Sequence, residues 1–292
     1  MGGRFELTTE NYYTPEADQN FLSCSQFESF LQCEAAAMAK IEGRYEPKKS
    51  EAFVVGNYFH TAFESRDAHE EFILDHQEDI FQKNGKKRAA FVKADDMIAH
   101  AIADPAIRRI VEMEGENEKI MTGKLFGTYP WRIRLDKYIA EPVRMIIDWK
   151  TVANIHELLW DEEARAKASF VRTFRYLFRA VVYMEIEKQN AGSDQDPLFR
   201  LVCISKQDPP DKEMVDLNNR QELDLELEKV KEKIWNIQAI KDGRMKPRRC
   251  GRCAYCRSTK KITGALDYWQ LDPGNFPDLE EEYDELWHSP KK

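Results

Sequence analysis

Residues 123–152, GKLFGTYPWRIRLDKYIAEPVRMIIDWKTV, constrain the fold of this chain more than any other stretch. The stretch is expected to form two or three neighbouring strands, because alternating and β-branched apolar residues occupy 129–139 and 143–150. Asp148 and Lys150 stand within the second apolar run, and side chains two residues apart on a strand lie on the same face. Asp136 lies near the end of the first strand, so a hairpin is expected to bring its carboxylate close to that of Asp148.

These three side chains have the chemistry that hydrolysis of a phosphodiester requires. Carboxylates such as Asp136 and Asp148 supply hard oxygen ligands for Mg²⁺. The cation takes up charge that develops on phosphoryl oxygens, and Lys150 can orient or activate the attacking water. The alternative is an ordinary Asp–Lys ion pair on an exposed strand, which is the commoner interpretation of this spacing by itself. The surrounding apolar run and Asp136 favour a functional site.

A second pair of candidates lies upstream, in a helix predicted over residues 51–66. His60 and Glu64 are four positions apart, so they share one face of that helix. A lone histidine is more often an ordinary core or surface residue. On a face shared with a glutamate, it could add a nitrogen ligand to the same cation.

The order of predicted elements indicates an α/β fold with helices packed on a sheet. Residues 1–115 are expected to be mainly helical and include a helix from Ser25 to about Ile41 that contains Cys33. Residues 116–240 carry the predicted strands and helices of the α/β core, including helices over 169–188 and 221–240. Residues 241–292 form a cysteine-rich basic segment and an acidic tail at 278–285. We expect 1–292 to be a single domain.

Composition limits the location of the chain and its partners. The net charge of −8 argues against nonspecific binding of nucleic acid over the whole protein surface, so any nucleic-acid contact must come from a local basic patch. The chain lacks a run of about 18 apolar residues, and its N-terminus lacks the apolar region of a signal peptide. We therefore expect a cytoplasmic protein with no membrane partner, whose cysteines are thiols or metal ligands.

Three cysteines at three-residue spacing in a Gly- and Arg-containing turn predict a metal site: Cys250, Cys253 and Cys256. Cys33 is the best candidate for a fourth ligand and Cys24 the next, whereas Cys203 lies in an apolar strand and is more typical of a core. Thiolates suit Zn²⁺ or an iron–sulfur cluster, and the spacing does not separate these two. Three free thiols are the remaining alternative. A metal at these residues would join the N-terminal helix to the C-terminal segment.

A cluster of basic residues surrounds those cysteines. It consists of Arg244, Lys246, Arg248, Arg249, Arg252, Arg257, Lys260 and Lys261. These cations could contact phosphates, or they could offset the negative charge of the thiolates. Both roles are open, and the two are compatible.

Four passages, in this order, resemble the phage- and RecB-type nucleases of the PD-(D/E)xK superfamily, especially the exodeoxyribonuclease VIII-like phage proteins. They are FLSCSQF at 21–27 followed by Cys33, GNYFH at 56–60 with Glu64, RLD at 134–136 with IDWKT at 147–151, and the cysteine segment 250–261. The resemblance spans residues 20–262. It implies a restriction-endonuclease-like core, a central mixed β-sheet flanked by helices.

The resemblance also implies an activity, the hydrolysis of DNA phosphodiester bonds by an exonuclease that depends on Mg²⁺ or Mn²⁺. His60, Asp136, Asp148 and the backbone carbonyl of Trp149 would hold the cation. Lys150 would position the attacking water, and Glu64 would support the site or bind a second metal. By the same resemblance, Cys33, Cys250, Cys253 and Cys256 would hold a second metal centre, a 4Fe–4S cluster or Zn²⁺.

Expected DNA contacts lie on the helix that follows the lysine strand. The family usually carries a Gln-x-x-x-Tyr pair there; Tyr183 matches the tyrosine, and Arg179 stands in place of the glutamine. Arg248, Arg249 and Arg252 are the other predicted contacts.

The resemblance further implies linear duplex DNA as the substrate, a single-strand annealing recombinase as a partner in phage recombination, and a homo-oligomer. There are two alternatives to an exonuclease. One is a non-catalytic DNA-binding protein that keeps the nuclease fold, and the other is a protein-interaction module stabilised by a cysteine-bound metal.

Overall fold

The computed structural model of the chain describes residues 5–48, 50–262 and 264–271. The described residues divide into two compact units. The terminal unit comprises those up to Pro47 together with those from Lys233 onward, and the central unit runs from Lys48 to Glu232. The predicted acidic tail at 278–285 lies outside the described residues. That 1–292 form a single domain stays a prediction.

The secondary structure is a set of helices and two sheets. The helices are α1 (Pro15–Asn20), α2 (Cys24–Gln32), α3 (Glu34–Ile41), α4 (Glu51–Glu64), α5 (Arg66–Asp75), α6 (Gln77–Ile80), α7 (Ala89–Ala103), α8 (Pro105–Glu112), α9 (Phe170–Thr173), α10 (Tyr176–Ala191), α11 (Arg220–Lys241) and α12 (Ala254–Ser258). The strands are β1 (Glu116–Lys124), β2 (Pro130–Ile139), β3 (Met145–Val152), β4 (Leu159–Asp161), β5 (Ala166–Ala168), β6 (Leu198–Ser205) and β7 (Lys212–Asp216). None of the described helices has the length and apolar character needed to cross a lipid bilayer.

The main sheet of the central unit is mixed. Its described strands run in the order β1-β2-β3-β6-β7, and β4 pairs with β5 in a separate hairpin. Only β3 and β6 are parallel among these pairs; the others are antiparallel. A parallel pair needs a crossover connection, and α10 lies in the chain between β3 and β6. The predicted α/β fold with a mixed sheet flanked by helices is confirmed.

Packing against helices fixes which face each residue of β3 occupies. Ile147 and Trp149 lie in one buried cluster with Phe59 and Phe63 of α4, and the Trp149 and Phe63 rings stack with centroids 4.4 Å apart. Because side chains alternate along a strand, Asp148 and Lys150 point to the opposite face. A shift of one residue would bury the charges in this cluster and expose Trp149, so the register is strongly specified.

Helix α10 is attached to β1 and β2. The fully buried carboxylate of Glu187 accepts hydrogen bonds from the Tyr138 hydroxyl (2.6 Å) and from Arg144 Nη1 (2.7 Å). At Gly123 of β1 the helix comes so close that an added Cβ would lie 2.8 Å from Gln189 Oε1. Glycine at this position therefore permits the close approach of α10 to the sheet.

Two predicted helices are interrupted. Cys33 is extended (φ −167°, ψ 106°) and separates α2 from α3, so the prediction of one helix through Cys33 was wrong. Helix α2 starts at Cys24, one residue before the predicted start at Ser25, and is capped by Ser23, whose hydroxyl accepts a hydrogen bond from the Gln26 N–H (3.2 Å). Arg175 adopts a left-handed conformation (φ 55°) that divides the helix predicted over 169–188 into α9 and α10. Strands β4, β5 and β7 were not predicted, because they are short and lack apolar alternation.

Candidate active site and cysteine cluster

The predicted Asp136, Asp148 and Lys150 meet on one face of the main sheet. Lys137 of β2 pairs with Ile147 of β3 in antiparallel register, so Asp136 and Asp148 occupy opposite positions on the two strands. Asp148 is buried, and its Oδ2 lies 2.5 Å from Lys150 Nζ. Lys150 Nζ lies 3.9 Å from Asp136 Oδ2. One ammonium group therefore faces two carboxylates.

Three groups of the candidate site approach the Asp136 Oδ2 atom. It accepts a hydrogen bond from the Trp149 N–H (2.8 Å), and His60 Nδ1 of α4 lies 3.2 Å away. Burial by itself would raise the pKa of Asp136. His60, Lys150 and the Trp149 N–H outweigh burial and hold that pKa well below its usual range, so Asp136 is ionised.

Asp148 and Trp149 present further oxygen atoms. The carbonyl oxygen of Trp149 accepts a hydrogen bond from Lys150 Nζ (3.0 Å). Among the described residues, no group donates a well-directed hydrogen bond to the buried Asp148 Oδ2, although Lys150 Nζ is close to it. A buried carboxylate oxygen normally has a partner, and together with Asp136 this atom offers the hard oxygen donors that Mg²⁺ or Mn²⁺ prefers.

Glu64 lies at the end of α4, one turn beyond His60. Burial raises the pKa of its carboxyl group; Arg134 opposes that shift and Asp136 adds to it. Glu64 therefore belongs to the same group of charges as Asp136.

Glu118 of β1 is a site residue that the sequence did not reveal. Asn117 pairs with Lys137, so the next residue on β1, Glu118, stands opposite Asp136 on β2. Its backbone is left-handed (φ 53°), which is uncommon for a residue other than glycine and is typical of functional sites. The only signal in the sequence was its place in the polar run 116–119 at the start of a strand.

The Glu118 side chain is 13% exposed, and its Oε2 lies 2.6 Å from Arg134 Nε. Burial raises the pKa of Glu118 to about 7; Arg134 opposes the rise, whereas Asp136 and Glu64 add to it. Glu118 is therefore, with Glu64, a second acidic side chain that interacts electrostatically with Asp136.

Of the predicted DNA contacts on α10, Arg179 lies beside this site and Tyr183 packs on the sheet. Lys150 Nζ and Arg179 Cζ each lie 5.8 Å from the centroid of the Tyr176 ring. The Tyr183 ring contacts Phe199 of β6, with centroids 6.1 Å apart. Tyr176 thus connects the lysine to the arginine that replaces the usual glutamine.

The predicted cysteines come together in the terminal unit. The group consists of Cys33, Cys250, Cys253 and Cys256, whose Sγ atoms all lie within 4.8 Å of one another. Cys24 and Cys203, the other described cysteines, are buried outside this group. Burial raises the pKa of the Cys256 thiol to about 12. Burial also acts on Cys250, but backbone N–H donors outweigh it and lower the Cys250 pKa to about 7. This set of four sulfur donors could hold a metal.

The basic residues around the cysteines are partly engaged within the protein. The Arg249 guanidinium donates a hydrogen bond to the Cys256 carbonyl (3.1 Å) and lies over the Tyr255 ring, 5.3 Å from its centroid. The backbone N–H of Arg248 donates to Glu34 Oε2 (2.8 Å). The DNA-binding roles of Arg248, Arg249 and Arg252 stay predictions.

Comparisons with known proteins agree with this architecture. A family model described as "PDDEXK-like domain of unknown function (DUF3799)" matches residues 23–259. The chain is similar to the crystal structure of a "Putative exonuclease" from Eubacterium rectale, with 32% identity and a TM-score of 0.85 over 93% of this chain and 100% of that chain. The crystal structure of SSO0001 aligns with 12% identity and a TM-score of 0.29 over 83% of this chain and 96% of that chain, too weak a likeness to carry an argument. No curated protein sequence matches.

Proposed function

Since the chain belongs to the PDDEXK-like family, we propose that it is a metal-dependent DNA exonuclease that hydrolyses phosphodiester bonds. The membership confirms the resemblance to PD-(D/E)xK nucleases. The observation that carries the proposal is the convergence of His60, Asp148 and Lys150 around Asp136. The structural relative from Eubacterium rectale supports the exonuclease assignment.

In this proposal the cation is Mg²⁺ or Mn²⁺, held by His60, Asp136, Asp148 and the carbonyl oxygen of Trp149. Carboxylate and carbonyl oxygens suit these hard ions, and the buried Asp148 Oδ2 is a suitable donor. When bound, the cation neutralises charge on the scissile phosphate and makes a water molecule more acidic. The Trp149 N–H and His60 keep Asp136 ionised and oriented.

Lys150 has the role of holding the attacking water in this proposal. Its Nζ lies between Asp148 and the Trp149 carbonyl, so the ammonium group has a fixed position and one of its three N–H bonds left for a water. Glu64 and Glu118 add negative charge beside Asp136 and are candidates for a second metal or for ordering waters.

Arg179 and Tyr183 of α10, together with Arg248, Arg249 and Arg252, are proposed to contact the DNA backbone. Linear duplex DNA is the proposed substrate. A single-strand annealing recombinase in phage-type recombination, and further copies of this chain, are the proposed partners. Arginine at 179 retains a donor for phosphate, and it is also the feature that favours the second candidate function, DNA binding without cleavage.

The test of the proposed function is digestion of end-labelled linear duplex DNA. We expect nucleotides to be released from the ends when Mg²⁺ or Mn²⁺ is present, and no release in EDTA. Covalently closed circular duplex offers no end and is the matched control, which should persist. Retention of the linear duplex in a gel shift, without hydrolysis in either metal, would refute the exonuclease and support the non-catalytic alternative.

Glu118 is expected to make the stability of the metal-free protein depend on pH. With its pKa raised to about 7 by burial, the folded state holds a proton that the unfolded state releases near the ordinary value of 4.5. The free energy of unfolding should therefore fall as pH rises between these values. Glu118→Gln lacks this titrating carboxyl group. Over this pH interval its free energy of unfolding should therefore fall less than that of the wild type, the difference being on the order of 1–3 kcal/mol.

Urea unfolding in EDTA at several pH values between about 5 and 8 measures this effect. Glu114→Gln, an exposed glutamate just before the same strand, is the matched control and should follow the wild-type profile. Parallel profiles for Glu118→Gln and the wild type would contradict the raised pKa.

A further inference from the structure

The spacing of the four cysteine sulfurs carries information about what they bind. Cys33 Sγ and Cys256 Sγ are 3.6 Å apart, Cys250 Sγ and Cys256 Sγ are 3.9 Å apart, and all four lie within 4.8 Å of one another. Four sulfurs at about 2.3 Å from one tetrahedral Zn²⁺ stand about 3.8 Å from each other. The observed separations are close to that edge length.

A four-iron cluster requires a wider arrangement. Each thiolate binds a different iron atom, and the four sulfurs enclose a cube of iron and sulfide ions. They must therefore stand clearly farther apart than sulfurs that share one ion. Of the two centres that the family resemblance implied, the geometry fits a single tetrahedral ion and does not fit the cube.

The backbone of residues 250–256 is arranged to hold thiolates. The Cys253 N–H donates to Cys250 Sγ (3.3 Å), and the Cys256 N–H donates to Cys253 Sγ (3.4 Å). Gly251 takes the left-handed conformation (φ 71°) that this turn requires. Hydrogen bonds from backbone N–H groups favour the charged form of a sulfur, which is the form that binds a metal.

The fourth sulfur comes from the break between α2 and α3. Beside it, the Ala35 N–H donates to the Arg248 carbonyl (2.9 Å), and the Glu34 carboxylate accepts from the Arg248 N–H (2.8 Å). Cys33 and Cys256 are 5% and 2% exposed and pack in a cluster with Tyr255. Cys253 is partly buried and Cys250 is exposed, so the group lies at the edge of this cluster. Four protein donors leave no open coordination site on a tetrahedral ion, as in structural zinc centres.

We propose that Cys33, Cys250, Cys253 and Cys256 bind one Zn²⁺ and that this ion fastens the α2–α3 junction to the segment 250–256 within the terminal unit. The extended backbone of Cys33, which interrupts the helical pattern, serves to aim its sulfur at the site. The proposal does not depend on the nuclease assignment, because it concerns the stability and metal content of the terminal unit.

Metal analysis of the full chain, purified without oxygen and without a metal-binding tag, tests the proposal. We expect about one zinc per chain, no acid-labile sulfide and no visible absorption. Replacement of the zinc by Co²⁺ should give the intense sulfur-to-cobalt and tetrahedral bands of a tetrathiolate site. Iron with sulfide, a single iron in place of zinc, or a folded protein without metal would each overturn it.

A thiol-specific titration of the wild type, together with two cysteine variants, assigns the ion to these residues. Adding an organomercurial to the wild type should release zinc to a chromogenic chelator as the cluster thiols react. Cys33→Ser should lose most of its zinc. Cys24→Ser, which removes a buried thiol of α2 that lies outside the cluster, should keep it. Equal zinc content in the two variants would refute Cys33 as a ligand.

Discussion

Lys150→Gln is expected to lower metal-dependent hydrolysis of linear duplex DNA by about a thousandfold, which is within the range for loss of a group that positions and activates a nucleophile. Lys150 Nζ lies 2.5 Å from Asp148 Oδ2 and 3.0 Å from the Trp149 carbonyl. Glutamine is one bond shorter than lysine but is uncharged, polar and of similar volume, and it keeps N–H donors, so the fold should survive. It lacks the positive charge that orients water and stabilises a developing anion.

The measurement is the initial rate of nucleotide release, with thermal unfolding and DNA binding recorded on the same samples. Lys206→Gln is the matched control, because Lys206 is exposed and directly follows β6, the strand that pairs with β3. The control should retain wild-type activity. A rate for Lys150→Gln within tenfold of the wild-type rate, with folding intact, would contradict the proposed role of Lys150 in hydrolysis.

The geometry around Lys150 was predictable from the sequence because two simple periodicities set it. Strand alternation places Asp148 and Lys150 on one face and Trp149 on the other, and a hairpin brings Asp136 opposite Asp148. The apolar side of β3 had to be buried, so no competing register was available. His60 was predicted from its four-residue spacing to Glu64 and from the family resemblance. In the structure, Phe59 and Phe63 of the same helix pack against the sheet.

Other features depend on tertiary structure that the sequence does not encode locally. Glu118 is opposite Asp136 only because β1 pairs with β2 in one register, and its left-handed backbone is not favoured by glutamate itself. The helical pattern of residues 25–41 continues through Cys33, yet the chain is extended there. Arg175 is a similar case, because its left-handed conformation sets the start of α10 without a glycine or proline to mark it.

The largest effect on stability is expected for Glu187→Ala, which should lower the free energy of unfolding by about 3–5 kcal/mol, the cost of removing one partner from a buried ion pair. Glu187 is fully buried and holds both Arg144 Nη1 and the Tyr138 hydroxyl. Burial and the Glu187 hydrogen bond raise the pKa of Tyr138, so its hydroxyl stays a donor to the carboxylate. Alanine leaves the guanidinium and the hydroxyl without this acceptor and adds a cavity.

Glu185→Ala on the same helix is the matched control, because it tests whether any glutamate-to-alanine change in α10 destabilises the protein equally. Glu185 is partly exposed and pairs with Lys188 and Arg220, so its removal should cost less than about 1 kcal/mol. Urea unfolding of both variants at neutral pH is the measurement, and equal losses would contradict the importance of the buried network. Because α10 also carries Arg179, the Glu187 variant should lose protection from hydrogen exchange in this helix first. A weaker attachment of α10 to β2 should then reduce DNA binding before it affects the proposed metal ligands on β2 and β3.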